Sequence, residues 1–264
     1  MIDNKLQEEL RARYNPDGSD LRSLQLHLLD ILIEFDRICR KNNIDYWLEY
    51  GTLIGAARHG GFIPWDDDID VCIMKKDKKR LQKVMREQLN PPFYYEGKIR
   101  CWGKLFNSHV SITRMIPEPG GKMKKIKENI WLDVFLEING TPKLSRKITG
   151  FYGKCLRRRY RIIDDGPFRH AVGVCLYPIA SFIAFIARIY GKIFHPSTIV
   201  HDFGTGYYSE RKKFEIFPLS EIKFEGHTFM APHDTPAYLK RIFGDWEKLP
   251  DDIENHKIID ITTT

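Results

Sequence analysis

Pro64-Trp65-Asp66-Asp67-Asp68-Ile69-Asp70-Val71 packs four carboxylates into five positions and leads straight into the apolar run Ile69 to Met74. Acids this close repel one another, a conflict that a bound cation removes. Read as a strand, the segment puts Asp66, Asp68 and Asp70 on one face and Asp67 with Ile69 on the other. Side chains two apart on a strand are separated by about 7 Å, close enough to converge on one ion. Hard oxygen donors of this kind suit Mg²⁺ or Mn²⁺. The competing reading is a solvated acidic turn.

Working outward, Asp45 to Glu49 reads as a short strand that ends at Gly51-Thr52, and the small residues Leu53 to Ala57 follow as a helix packed close over a sheet. A glycine there lets backbone approach a phosphate, and a helix start offers N–H donors. Arg58-His59-Gly60-Gly61 reads as a loop. Further on, Asp133 is the one acid inside the apolar pattern Ile130 to Phe135. A buried carboxylate needs a metal, a cation or a hydrogen-bond network; an edge-strand position facing solvent is the alternative.

The run from Tyr50 through Gly60-Gly61-Phe62-Ile63-Pro64-Trp65 to Val71 resembles the signature of the LicD family, which includes bacterial phosphocholine transferases and is related to fukutin and fukutin-related protein. The segment Tyr238 to Trp246 with Leu249-Pro250 is similar to that family's closing motif. The resemblance implies a nucleotidyltransferase-like fold, in which a Gly-Ser/Thr turn precedes an Asp-x-Asp strand and a third acid comes later. Gly51-Thr52, Asp68 with Asp70, and Asp133 stand in those places.

The resemblance further implies transfer of a phosphorylated alcohol, phosphocholine foremost, from a CDP-activated donor to a hydroxyl of a cell-surface glycan, with release of CMP. The acceptor would be a glycan or lipid-linked glycan of lipopolysaccharide, teichoic acid or capsule. Asp68, Asp70 and Asp133 would be the catalytic and metal-binding acids, with Asp133 as ligand or as base. Gly51, Thr52, Arg58, His59, Trp65, Asp66, Asp67 and Lys104 are the expected substrate contacts, with Arg58 and Lys104 on phosphate. His256 is a weaker candidate. Tyr46, Trp47, Tyr50, Trp65 and Trp102 could frame a trimethylammonium group. Nucleotidyl transfer from an NTP to a small phosphorylated substrate is the alternative on the same scaffold.

The remaining pattern predicts an α+β (mixed α/β) fold, a mixed sheet flanked by helices with an added helical segment in the second half. Leu21 to Cys39 has the period of an amphipathic helix with Ser19 or Asp20 as its cap; Lys76 to Leu89 is a second, polar-faced helix. Strands are predicted at Trp102 to Phe106, Val110 to Met115 and Trp131 to Ile138, and a hairpin turns at Glu225-Gly226. One catalytic domain is expected over 1–264: a core at 20–140, a helical insertion at about 142–205 and a closing segment at about 206–264.

The 264 residues are 42% hydrophobic and 29% charged, a globular balance, with a net charge of +7 that suits anionic partners. The acid-rich motif argues against nucleic acid as that partner. Cys39, Cys72, Cys101, Cys155 and Cys175 are odd in number and widely spaced, which predicts reduced core thiols and no disulfide framework or zinc ribbon. The polar N-terminal stretch does not read as a secretory signal, so a cytoplasmic location is expected. Ala171 to Ala187 carries no charged residue, and Lys154, Arg157, Arg158, Arg159 and Arg161 precede it. That pairing predicts peripheral contact with an anionic membrane, on the inner face of the cytoplasmic membrane, in preference to a spanning helix.

Overall fold

A computed structural model describes residues 2–97, 101–117, 123–161, 166–250, 253 and 258–263. His256 lies outside the described residues. The helices are α1 (Asn4–Tyr14), α2 (Asp20–Lys41), α3 (Tyr50–His59), α4 (Lys78–Gln88), α5 (Pro142–Ile148), α6 (Lys154–Arg159), α7 (Pro167–Phe194), α8 (Lys213–Ile216) and α9 (Thr235–Phe243). The strands are β1 (Tyr46–Leu48), β2 (Asp70–Met74), β3 (Phe93–Glu96), β4 (Trp102–Pro117), β5 (Met123–Asn139), β6 (Thr198–His201), β7 (Arg211–Lys212), β8 (Ser220–Phe224), β9 (His227–Ala231) and β10 (Ile258–Thr263).

The main sheet runs β1-β2-β5-β4-β10, with β3 beside β4, and β6 and β7 continuing from β5. β2 and β5 are parallel; the other pairings are antiparallel. This is the mixed α+β sheet that the sequence predicts. Val71, Cys72 and Ile73 are all buried, as expected for an inner strand covered on both faces. The amphipathic α2 lays Leu24, Leu28, Ile31, Leu32 and Phe35 on the core, and Ser19 caps it by accepting the Arg22 N–H at 3.2 Å.

Several expectations shift. The strands predicted at 102–106 and 110–115 are one strand, β4, irregular between Asn107 and Ser111; its partner β5 starts eight residues before Trp131. The charged stretch Lys124 to Asn129 hides that extension, because one sheet end faces water and lacks an apolar signal. β2 begins at Asp70, so Asp66, Asp67 and Asp68 occupy the turn before it and do not share a strand face with Asp70. Cys39, Cys72, Cys101 and Cys155 are buried free thiols as expected, whereas Cys175 is exposed on α7.

Turn chemistry holds the acidic segment in place. Gln25 of α2, fully buried, donates to the carbonyl oxygens of Asp66 (2.9 Å) and Ile63 (3.3 Å). Gly60 ends α3 with φ +69°, a conformation that glycine adopts without steric cost. The β8–β9 hairpin turns at Glu225-Gly226 as predicted, and its tip grips the same loop: Glu225 accepts the Phe62 N–H at 3.0 Å and pairs with Arg22 at 2.7 Å.

Candidate functional site

Register brings the key acids together. Asp70 on β2 lies directly opposite Asp133 on the parallel strand β5, and Asp133 lies opposite Lys104 on β4. Three adjacent strands therefore present carboxylate, carboxylate and ammonium in one row. Lys104 Nζ stands 3.5 Å from Asp133 Oδ1 and 3.5 Å from the centre of the Trp131 ring, while Trp131 Nε1 donates to Asp133 Oδ2 at 2.7 Å. Burial lowers the Lys104 pKa, and the neighbouring Asp133 and Glu128 oppose that shift.

The backbone of Asp70 is pinned twice. Its N–H donates to Thr52 Oγ1 at 2.9 Å, and its carbonyl accepts the Glu49 N–H at 3.0 Å. Gly51 faces Asp66: a Cβ there would lie 2.4 Å from Asp66 Oδ2, so only glycine fits without moving the carboxylate. Ligand oxygens of Asp66, Asp67 and Asp68 can all lie within 4.8 Å of one another. Burial raises the Asp70 carboxyl well above the carboxylate range, and Asp68, Asp133, Asp66 and Glu49 add to the shift; Asp66 is raised by burial and then by Asp68 and Asp67. Such mutually opposed hard oxygens are what a divalent cation relieves, and Asp66, Asp67 and Asp68 offer oxygens close enough together for a hard cation such as Mg²⁺ or Mn²⁺, with Asp70 and Asp133 on the adjoining strands.

Thr52 is 2% exposed and holds the start of β2 through the Asp70 N–H, a positioning task beyond the phosphate contact expected of it. Thr52→Val is expected to cost about 1–2 kcal/mol and to lower turnover about tenfold, with Thr52→Ser close to the parent. Thermal denaturation with steady-state kinetics checks both.

Arg58 and His59 are corrected. Arg58 is buried and donates to the carbonyl oxygens of Trp246 (2.9 Å) and Lys248 (3.0 Å) and to His59 Nε2 (2.9 Å), so it anchors the closing segment and is not a phosphate ligand. His59 binds Gln7 at 2.6 Å, and burial with the Arg58 charge lowers its pKa to about 3, leaving it neutral. Trp65 packs edge-on to Tyr14 and His59. Tyr46 and Trp47 are fully buried, donating to Asp36 and Glu49 respectively, and cannot frame a ligand.

A pocket of about 320 Å³ opens beside Asp133 and Lys104, walled by Trp102, Phe135, Tyr207 and Arg157. Of the expected aromatic frame, Trp102 is there, and Tyr50 backs it by ring contacts with Phe135 and Tyr207. Tyr207 sits in a segment with no motif of its own and is an addition to the expected residues, while Arg157, expected in the basic cluster before the apolar stretch, lines this pocket instead. Burial raises the Tyr207 pKa, and Asp70, Asp133 and Asp68 raise it further, which marks its closeness to the acids.

Behind the site lies a buried ionic network. Arg211 Nη2 donates to Glu49 Oε1 at 2.5 Å, its Nε to Tyr238 OH at 2.7 Å, and His201 pairs with Glu137. Trp47 Nε1 and Tyr238 OH also donate to Glu49. Cys72, Glu137 and His201 have the spacing of a metal group, but the Arg211 guanidinium stands 2.8 Å from His201 Nε2 and already supplies the positive charge. Burial pushes the Glu137 pKa up, but Arg211 and His201 outweigh it and hold it at about 2. A carboxyl with a depressed folded pKa contributes stability that is complete above its free value of about 4.5 and disappears as pH falls toward 2. Denaturant midpoints should therefore drop steeply below about pH 4; a flat profile there would contradict this assignment.

Residues 43–142 match the description LicD/FKTN/FKRP, nucleotidyltransferase domain. That stretch is similar to a LicD-family domain. Lipopolysaccharide cholinephosphotransferase LicD of Haemophilus influenzae is 27% identical over 257 residues, covering 87% of this chain and 92% of that protein. An uncharacterized protein of Rickettsia prowazekii is 45% identical over 93 residues, 34% of each chain. Ribitol 5-phosphate transferase FKRP of Homo sapiens is 59% identical over 34 residues, 13% of this chain and 7% of that protein. The LicD-family match spans Thr52, Asp70, Lys104 and Asp133 alike, so the row of charges described above lies within the matched domain.

Proposed function

We propose that the chain is a metal-dependent phosphotransferase that moves a phosphorylated alcohol, phosphocholine foremost, from a CDP-activated donor to a glycan hydroxyl and releases CMP. The observation that carries this is the row Asp70, Asp133, Lys104 across three adjacent strands, with Asp133 and Lys104 lining a pocket with aromatic walls. Similarity to a lipopolysaccharide cholinephosphotransferase over most of the chain supports the substrate class.

When bound, Mg²⁺ or Mn²⁺ held by Asp68, Asp70 and Asp133 would neutralise the donor diphosphate. Phosphoryl transfer needs positioning and charge neutralisation more than covalent chemistry, and the residues divide accordingly. Gly51 leaves room for the Asp66 carboxylate, and Lys104 offers an ammonium to the non-bridging oxygens of the diphosphate. Trp102, Phe135 and Tyr207 enclose the alcohol end; their ring faces suit a quaternary ammonium. Trp131 fixes Asp133 through Oδ2 and Lys104 stands 3.5 Å from Oδ1, and the carboxylate held between them takes the proton from the acceptor hydroxyl. The acceptor oxygen bonds to the phosphorus of the alcohol phosphate as the bond from that phosphorus to CMP breaks.

Incubating the protein with Mg²⁺ and a panel of CDP-alcohols tests the reading. Slow CMP release, fastest with CDP-choline and stimulated by a glycan acceptor, is expected. Pyrophosphate from an NTP, with no CMP from any CDP-alcohol, would overturn it in favour of nucleotidyl transfer.

A further inference from the structure

The helix α7 turns the usual arrangement of an amphipathic helix around. Its protein-facing stripe is small: Gly173, Ala180, Ala184, Ala187 and Gly191 are buried, together with Tyr177. Its large side chains point outward, with Ile179, Phe182, Phe185, Ile193 and Phe194 each more than half exposed. Of its most apolar 18-residue window, 28% is buried. A single soluble domain rarely leaves so continuous an apolar face to water.

Charge says what covers it. Residues 142–201 hold eleven of the 42 Lys and Arg residues but two of the 35 Asp and Glu, so the rest of the chain is slightly acidic and the net positive charge resides here. The basic side chains flank the apolar face at both ends. Arg158 and Arg159 of α6 sit along its N-terminal half, with Arg158 carbons against Gly173 and the Arg159 guanidinium 4.9 Å over the Tyr177 ring. At the C-terminal end, a cleft of about 730 Å³ between α5 and α7 is lined by Lys143, Arg146, Lys147, Tyr190 and His195. An apolar face bounded by cations and continuous with a basic cleft is complementary to lipid acyl chains bounded by anionic headgroups.

We propose that α7 is a monotopic docking helix, lying in the plane of an anionic leaflet with a phospholipid phosphate in the Lys143–Arg146–Lys147 cleft. The helix is long enough to cross a membrane, at about 42 Å for its 28 residues. Its inner stripe nonetheless stays on the domain from Gly173, against Arg158, to Gly191, against the Asn139 carbonyl. Arg188 near its end is paired with the buried Asp202 at 2.8 Å. Spanning would strip both contacts, so the helix lies flat.

Flotation of the purified full chain with phosphatidylcholine vesicles, with and without phosphatidylglycerol, tests the proposal without any turnover. Flotation is expected only with phosphatidylglycerol, weakened by salt but not by inorganic phosphate at matched ionic strength. Phe182→Asp/Phe185→Asp and, separately, Lys143→Glu/Lys147→Glu should each lower the bound fraction about tenfold with unchanged circular dichroism, since all four positions are exposed. Phe182→Trp should shift its emission to the blue on binding and be quenched by brominated lipid. Asp70→Asn should float like the parent, which separates this inference from the proposed chemistry. Failure to float on anionic vesicles, release by inorganic phosphate, or a lipid-free dimer that Phe182→Asp dissociates would each overturn it.

Discussion

Replacing Asp70 by asparagine is expected to lower turnover by about 10³-fold or more while leaving the metal-free protein at least as stable as the parent. Asparagine keeps the shape of the side chain and the backbone bond to Thr52 Oγ1, so the strand start is preserved. It deletes one charge from a group in which burial and the neighbouring acids hold Asp70 and Asp66 well above their ordinary range. The folded, metal-free chain loses a repulsion, and the site loses a ligand. Thermal denaturation in EDTA should show an equal or higher midpoint, and the stabilisation by Mn²⁺ seen with the parent should shrink. Parental turnover in Asp70→Asn would remove this acid from the chemistry.

Arg211→Met is expected to do the opposite: severe loss of stability with no direct effect on chemistry. Arg211 is fully buried and is the cation shared by Glu49 and Glu137. Removing it strands two carboxylates in the interior, which costs about 3–5 kcal/mol. For a chain of this size that corresponds to a fall of roughly 10 °C in the midpoint. Because Glu49 immediately precedes the Tyr50-Gly51-Thr52 segment, surviving folded protein should also bind donor less well. A midpoint unchanged from the parent would show that the network does not carry the load assigned to it.

The sequence discloses the site in proportion to how local its pattern is. Gly51-Thr52, the acids from Asp66 to Asp70, and Asp133 lie in segments whose apolar alternation or turn residues place them, and the parallel β2–β5 register joins them. Arg58 departs from the phosphate contact expected of it for a geometric reason. It is six residues beyond Thr52 on α3, about 9 Å along the axis, so nearness in sequence to the acids carries it to the far end of the helix. Tyr207, Arg211 and Tyr238 reach the site region from loops and short elements more than 150 residues after Glu49. Contacts between such distant partners leave no periodicity in a single sequence. The strand alternation expected for Asp66 and Asp68 failed because Gln25 and Glu225 hold the preceding residues in a turn.

The most direct test is an anomalous-scattering map of crystals grown with Mn²⁺ and CDP-choline. The account predicts manganese bonded to carboxylate oxygens of Asp70 and its neighbours Asp68 or Asp133, with the donor diphosphate completing its coordination and the choline among Trp102, Phe135 and Tyr207. Manganese at Cys72, Glu137 and His201, or a diphosphate bound away from the β2–β5 acids, would contradict it.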